Sequence, residues 1–300
     1  MLRGAAALAV VAPAVFRLPS DAQAQQATLP PVVSVDWLSA ELSRPGLVVL
    51  QLGSDSSFRT AHVPGAQRLD FDGVVIAPPV EGGLRMELPA PERLEAGLRA
   101  LGVREDSRIV LVFDVPQAFT RAGRTFFTLE WAGLRGRVAV LDGGLPAWRA
   151  VAKPLSTGPA LRVAAGDVTV RPNAAQVATR DSVQAAVGGR GRRLVDARAP
   201  EFYQNTRDNG MPRGGHIESA VNLPFNSATL PDGRFKPKAE LEQLVAATGI
   251  EADDPLTTYC HIGLQASWMY LTLRYLGRDV TVYDGSFDEW SRDASLPVRP

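Results

Sequence analysis

The sequence of 300 residues has one cysteine and three histidines. A single thiol cannot close a disulfide within the chain, and so few imidazoles leave no Cys/His spacing suited to a metal ion. Neither sign of charge is in excess. With 32 Lys and Arg against 32 Asp and Glu, nothing in the overall balance calls for nucleic acid or an anionic membrane as partner, so any anion site must be local. Long apolar runs are lacking too. The run from Gly4 to Phe16 is too short to cross a bilayer, and Arg17 and Asp21 prevent its extension, so no membrane span is expected in the mature chain.

That N-terminal stretch has another reading. Met1-Leu2-Arg3 supplies a short basic region, the apolar run comes next, and Ala22-Gln23-Ala24 completes a small-residue cleavage pattern. Residues 1–24 are therefore expected to be a secretory signal, and the mature protein to be exported, to a periplasm or the extracellular space. Exported proteins normally pair their cysteines, so a solitary thiol in an oxidising compartment asks for a reason.

Hydrophobic content of 45% and charged content of 21% are those of a globular chain, and the length suits two domains. Internal similarity supports that division. "LVVLQLGSDSSFRTAHVPGAQRLDF" (47–71) resembles "LVDARAPEFYQNTRDNGMPRGGHIESAVNLPF" (194–225), with His62 and His216 in matching places. "VAVLDGGLPAW" likewise matches "VTVYDGSFDEW", with Asp142 to Trp148 spaced as Asp284 to Trp290. The chain is a tandem repeat of one unit.

In each copy short apolar runs (47–50, 109–113 and 138–141; 193–196, 256–259 and 280–283) alternate with helical stretches (92–101 and 125–131; 238–248 and 268–276). This alternation predicts an α/β fold, each unit a parallel sheet flanked by helices. Residues 30–155 are assigned to the first unit and 174–300 to the second. Residues 156–173, with Pro159, Gly166 and Pro172, form the expected linker.

The lone Cys260 closes an apolar run, so it falls at the C-terminal end of a parallel strand, where open α/β sheets bind ligands. The loop Cys260-His261-Ile262-Gly263-Leu264-Gln265-Ala266 can curl at Gly263, aim its amides inward and lead into a helix near Ser267. Such surroundings are expected to favour a thiolate. His62 and His216, present in both copies, are read as structural hydrogen-bonding residues, whereas His261 could tune the thiol.

On these motifs, together with Asp196-Ala197-Arg198, Gly215-His216-Ile217 and "VNLPF" (221–225), the chain resembles the tandem-domain rhodaneses, the thiosulfate and 3-mercaptopyruvate sulfurtransferases. The resemblance covers roughly residues 30–300. It implies two tandem rhodanese-like domains and catalysis without a cofactor. Cys260 would be the nucleophile that holds a sulfane sulfur as a persulfide, and Arg198 the arginine that binds the anionic donor. The implied partners are a small anionic sulfur donor and a thiol or cyanide acceptor. The loop departs from the better-known forms: His261-Ile262 is neither basic nor small, and Gln265 stands where Thr or Arg is usual, able to donate a hydrogen bond but no charge. Arg207 or Arg213 could supply a second cation. In the first unit Asp114 takes the place of Cys260 and Gln51 that of Asp196, so that unit is expected to be catalytically silent and to pack against the active unit as one wall of the cleft.

Two other classes compete. A phosphatase on the same kind of fold would need Cys-x5-Arg, and Ala266 occupies the arginine position. A non-enzymatic sulfur carrier or binding module remains open; turnover with a donor and an acceptor separates it from an enzyme.

Overall fold

The computed structural model describes residues 28–300 except residue 190, so the expected signal over 1–24 lies outside the described residues. The first repeat runs β1 (Val32–Val33), α1 (Val35–Glu41), β2 (Leu47–Leu52), α2 (Asp55–Thr60), β3 (Gln67–Leu69), α3 (Pro91–Ala100), β4 (Arg108–Phe113), α4 (Phe119–Leu129), β5 (Val138–Leu141) and α5 (Gly144–Ala150). The second runs β6 (Val177–Ala178), α6 (Arg180–Ala186), β7 (Arg193–Asp196), α7 (Pro200–Tyr203), β8 (His216–Ile217), β9 (Val221–Asn222), α8 (Lys238–Ala246), β10 (Leu256–Tyr259), α9 (Leu264–Tyr275), β11 (Val280–Tyr283), α10 (Ser286–Arg292) and β12 (Val298–Arg299). Each repeat builds a five-stranded sheet, ordered β1-β5-β4-β2-β3 and β6-β11-β10-β7-β9. All pairings within these two sheets are parallel, and β12 pairs antiparallel with β8 outside them.

The central strands owe their place to composition. Ile109 to Phe113 of β4 are fully buried, as are Thr258 and Tyr259 of β10, because helices cover both faces. Ser34, Ser54 and Thr179 start α1, α2 and α6 by accepting hydrogen bonds from Trp37, Ser57 and Ser182 amides. Two helices begin earlier than their apolar pattern predicts. The helix expected over 125–131 starts at Phe119, and that expected over 268–276 starts at Leu264.

The segment between the repeats is not a free spacer. Ser156 and His62 exchange backbone hydrogen bonds of 2.9 Å, Gly166 N–H donates to Arg99 O at 2.8 Å, and Asn173 N–H to Trp131 O at 2.7 Å. The chain is laid along the first domain, where a Cβ on Gly166 would fall 1.8 Å from Val103 O.

The two domains share one core, with α4 packed on α9. A Cβ on Gly123 would lie 2.7 Å from Trp268 Cα, so glycine permits the helices to touch backbone to backbone. Across the seam the buried Glu130 carboxylate accepts from Tyr270 Oη at 2.6 Å and Arg274 Nε at 3.1 Å, and buried Arg124 bonds Asp284. Burial calls for such pairing, and of these groups only Nε of Arg124 is left without a hydrogen-bond partner.

Candidate active site

Cys260 comes directly after β10, is free and is fully buried. Its backbone is fixed from α10: Cys260 N–H donates to Ser286 Oγ at 3.3 Å, Phe287 N–H to Cys260 O at 3.0 Å, and Asp288 N–H to His261 O at 2.9 Å. Gly263, at φ 82°, is the left-handed residue from which α9 departs, so the loop is tighter than the sequence suggests and Leu264, Gln265 and Ala266 already belong to the helix. The missing cap signal explains the difference: no Ser, Thr, Asp or Asn precedes Leu264, and a glycine does the turning. The amides of Ala266, Ile262 and Gln265 surround the thiol, as a curled loop at a helix start should arrange.

The expected preference for thiolate is not what results. Burial pushes the Cys260 thiol above its ordinary range, and the three amides pull it down without outweighing burial. Asp196 adds to the upward push.

Arg198 is fully buried and locked beneath the loop. Its Nε lies 3.0 Å and 3.1 Å from the two carboxylate oxygens of Asp196, its Nη2 2.8 Å from Gly215 O, and its guanidinium 4.2 Å from the centre of the Phe287 ring. It is not among the residues that line the cavity over Cys260, and its Nη1 is buried without a hydrogen-bond partner. Asp196 and Arg198 sit two residues apart at a strand end, on the same side of the chain, and neutralise each other. Arg213 is also occupied: its guanidinium donates to the carbonyls of Ser291, Trp290 and Leu296 and ties down the end of α10.

Above the thiol lies a cavity of about 390 Å³. Cys260, His261, Ile262, Leu264 and Gln265 line it from the loop after β10, and Phe202 and Arg207 from the segment after β7. Arg207 lies 5.1 Å over the Phe202 ring, and Phe202 meets His261 edge-on at 4.8 Å. Gln265 Oε1 is buried without a hydrogen-bond partner. Gly263 and Ala266 shape the loop without lining the cavity. Burial, helped by the nearby Arg198 charge, lowers His261 to about 4, so its ring is neutral at physiological pH. The first unit walls one side of the cleft, as expected, but sequence reasoning named none of the residues there. Arg85 reaches in from the first domain, and Met211 lies beside it; no local pattern marks either one, because the fold brings them there from distant parts of the chain.

His62 and His216 have equivalent structural places. Nδ1 of His62 pairs with Phe58 O at 2.9 Å and Nδ1 of His216 with Tyr203 O at 2.8 Å, each ring stacked on the aromatic residue it bonds. In the first domain Asp114 accepts a hydrogen bond from Ser57 Oγ at 2.7 Å, and a 3-10 turn over Pro116–Ala118 intervenes before α4, where in the second domain α9 starts directly after Gly263.

Fold and site define a two-domain α/β protein with one thiol cradled by amides at the end of a parallel strand. The family model described as Rhodanese-like domain matches the chain twice, over residues 34–151 and 179–293. The chain belongs to the rhodanese family, as a tandem member. It is 34% identical over 279 residues to the probable 3-mercaptopyruvate sulfurtransferase of Pseudomonas aeruginosa, covering 89% of this chain and 97% of that one. It is 31% identical over 279 residues to the thiosulfate sulfurtransferase of Corynebacterium glutamicum, covering 89% of each chain. The crystal structure of SseA from Escherichia coli, described as a 3-mercaptopyruvate sulfotransferase, has the same fold, with a TM-score of 0.75 at 24% identity over 86% of this chain and 99% of that one.

Proposed function

We propose that the protein is a sulfurtransferase that moves a sulfane sulfur from thiosulfate or 3-mercaptopyruvate through a Cys260 persulfide to a thiol or cyanide acceptor. The observation that carries this reading is the sole thiol of the chain, ringed by the amides of Ile262, Gln265 and Ala266 at the floor of a cavity whose walls carry two guanidinium groups. The Cys260 thiolate attacks the outer sulfur of the donor. That sulfur's bond to the rest of the donor breaks, and its electron pair leaves with sulfite or with the enolate of pyruvate. The amides hold the terminal sulfur, which carries the negative charge of the persulfide. An acceptor nucleophile then attacks that sulfur, and the S–S bond electrons return to Cys260. Relatives named for both donors leave the donor to be chosen by experiment.

The test is a donor panel on purified protein. Thiosulfate or 3-mercaptopyruvate alone should add one sulfur atom to the protein mass at Cys260, and an acceptor should remove it with turnover. Loading without turnover would favour a sulfur carrier, and no loading by any donor would sink the reading. Export through a signal over residues 1–24 is part of the same proposal, checked by N-terminal sequencing of protein recovered from the producing cells.

A further inference from the structure

We propose that Arg85, a residue of the silent first domain, is the guanidinium that receives the anionic far end of the sulfur donor, so that donor binding spans both domains. The inference rests on the sulfurtransferase reading and adds a residue outside the catalytic domain to it.

Arg198, the arginine best placed by sequence, is fully buried against Asp196 and does not line the cavity. Two cations line the cavity, Arg207 from the second domain and Arg85 from the first. Arg85 is 57% exposed along its side chain, so its charge is available to a ligand. It is nevertheless held in position. Nε lies 3.2 Å from Asp288 Oδ2, and Asp288 is the residue whose N–H binds His261 O beside the thiol. Asp288 also binds Arg292 at 2.8 Å, so one carboxylate is shared by two guanidinium groups. Arg292 directs its remaining donors to Gly82 O and Gly83 O at 2.7 Å and 2.9 Å. Nη2 of Arg85, by contrast, has the thioether of Met211 at 3.5 Å, a weak acceptor that a carboxylate or sulfonate oxygen would readily displace. Asp288 thus aims Arg85 while leaving its outer nitrogens for a ligand.

The segment that carries Arg85 is strapped to the second domain on both sides. Leu88 N–H donates to Asp284 Oδ2 at 2.9 Å, and Arg292 holds Gly82 and Gly83. The silent domain is therefore a fixed wall that presents a charge over the cavity floor.

The experiment compares wild type, Arg85→Ala and Arg85→Lys with thiosulfate and with 3-mercaptopyruvate over a range of ionic strength, reading steady-state kinetics, melting temperature and sulfur loading of Cys260 by intact mass. Arg85→Ala should lower kcat/KM for the better donor ten- to a hundredfold, with the loss carried by the donor KM. It should also flatten the dependence of kcat/KM on ionic strength, because a donor anion has lost a charge partner. Lysine should recover part of the loss. A kcat/KM within twofold of wild type overturns the proposal. So does a loss carried by kcat with an unchanged salt dependence, since that marks a role in the strap alone. If wild type loads no sulfur from either donor, the sulfurtransferase reading has failed and this proposal falls with it; if wild type loads and Arg85→Ala loads with the same donor concentration dependence, Arg85 alone has been misassigned.

Discussion

Arg198 and Asp196 face each other as a fully buried ion pair, Nε of the arginine being within 3.1 Å of both carboxylate oxygens. Removing one member of such a pair strands the other charge in the interior, which costs about 3–5 kcal/mol. Arg198→Ala is therefore expected to lower unfolding stability by about that amount, measured by chemical denaturation. Arg198→Lys should recover little, because an ammonium cannot match the fork presented to Asp196. A stable Arg198→Ala protein with a selectively raised donor KM would show instead that the guanidinium meets the donor.

The pair also bears on the thiol. Because Asp196 cancels Arg198 and burial raises the Cys260 thiol, alkylation by iodoacetamide should be slow at neutral pH and accelerate through the alkaline range. Asp196→Asn leaves the guanidinium uncancelled, so its alkylation profile should move to lower pH even as stability falls. An unchanged profile in that variant would mean that the pair does not govern the thiol.

Glu87 supplies a pH signature at the domain seam. Burial raises its carboxyl to about 7, with Asp284, Glu289 and Asp288 adding to the rise and Arg124 opposing it. Between its ordinary value of 4.5 and about 7 the unfolded chain has lost this proton while the folded chain keeps it, so stability falls as pH rises through that window and levels off above it. Glu87→Gln should melt with wild type near pH 4 and a few degrees higher at pH 8. Equal melting temperatures at both pH values would contradict the assignment.

Gly263 is needed twice, for its positive φ of 82° and because a Cβ there would sit 3.0 Å from Arg124 Nη1 and 3.1 Å from Asp284 O. Gly263→Ala should cost about 1–2 kcal/mol in backbone strain. It should also slow sulfur loading of Cys260 at least tenfold, since the amides of Ile262, Gln265 and Ala266 lose their aim. Mass-detected loading at the wild-type rate would show that the loop tolerates the shift.

Much of this molecule is legible in its sequence. Runs such as 109–113 and 280–283 are rich in apolar and β-branched residues, so they declare buried parallel strands, and the repeat places Cys260 at the end of one. The two-residue strands β1, β6 and β9 are too short to carry any period. The start of α9 was hidden because a glycine replaces the usual polar cap. Asp196 and Arg198 were both visible, two apart in a strand-end motif, yet the sequence could not say that they form a buried pair. Arg85 is illegible for a different reason: its place beside Cys260 is a property of how two domains meet.

The contact of α4 with α9 sets corresponding helices of the two repeats against each other. An interface in which each side offers the same element is the self-complementary kind that two-fold homodimers make. In a homodimer the halves share one sequence, so losing a nucleophile in one half loses it in both. Joining the halves in one chain lifts that constraint. Here one half carries Cys260 and the other Asp114 in the corresponding place, while both keep the surface that each turns toward its neighbour.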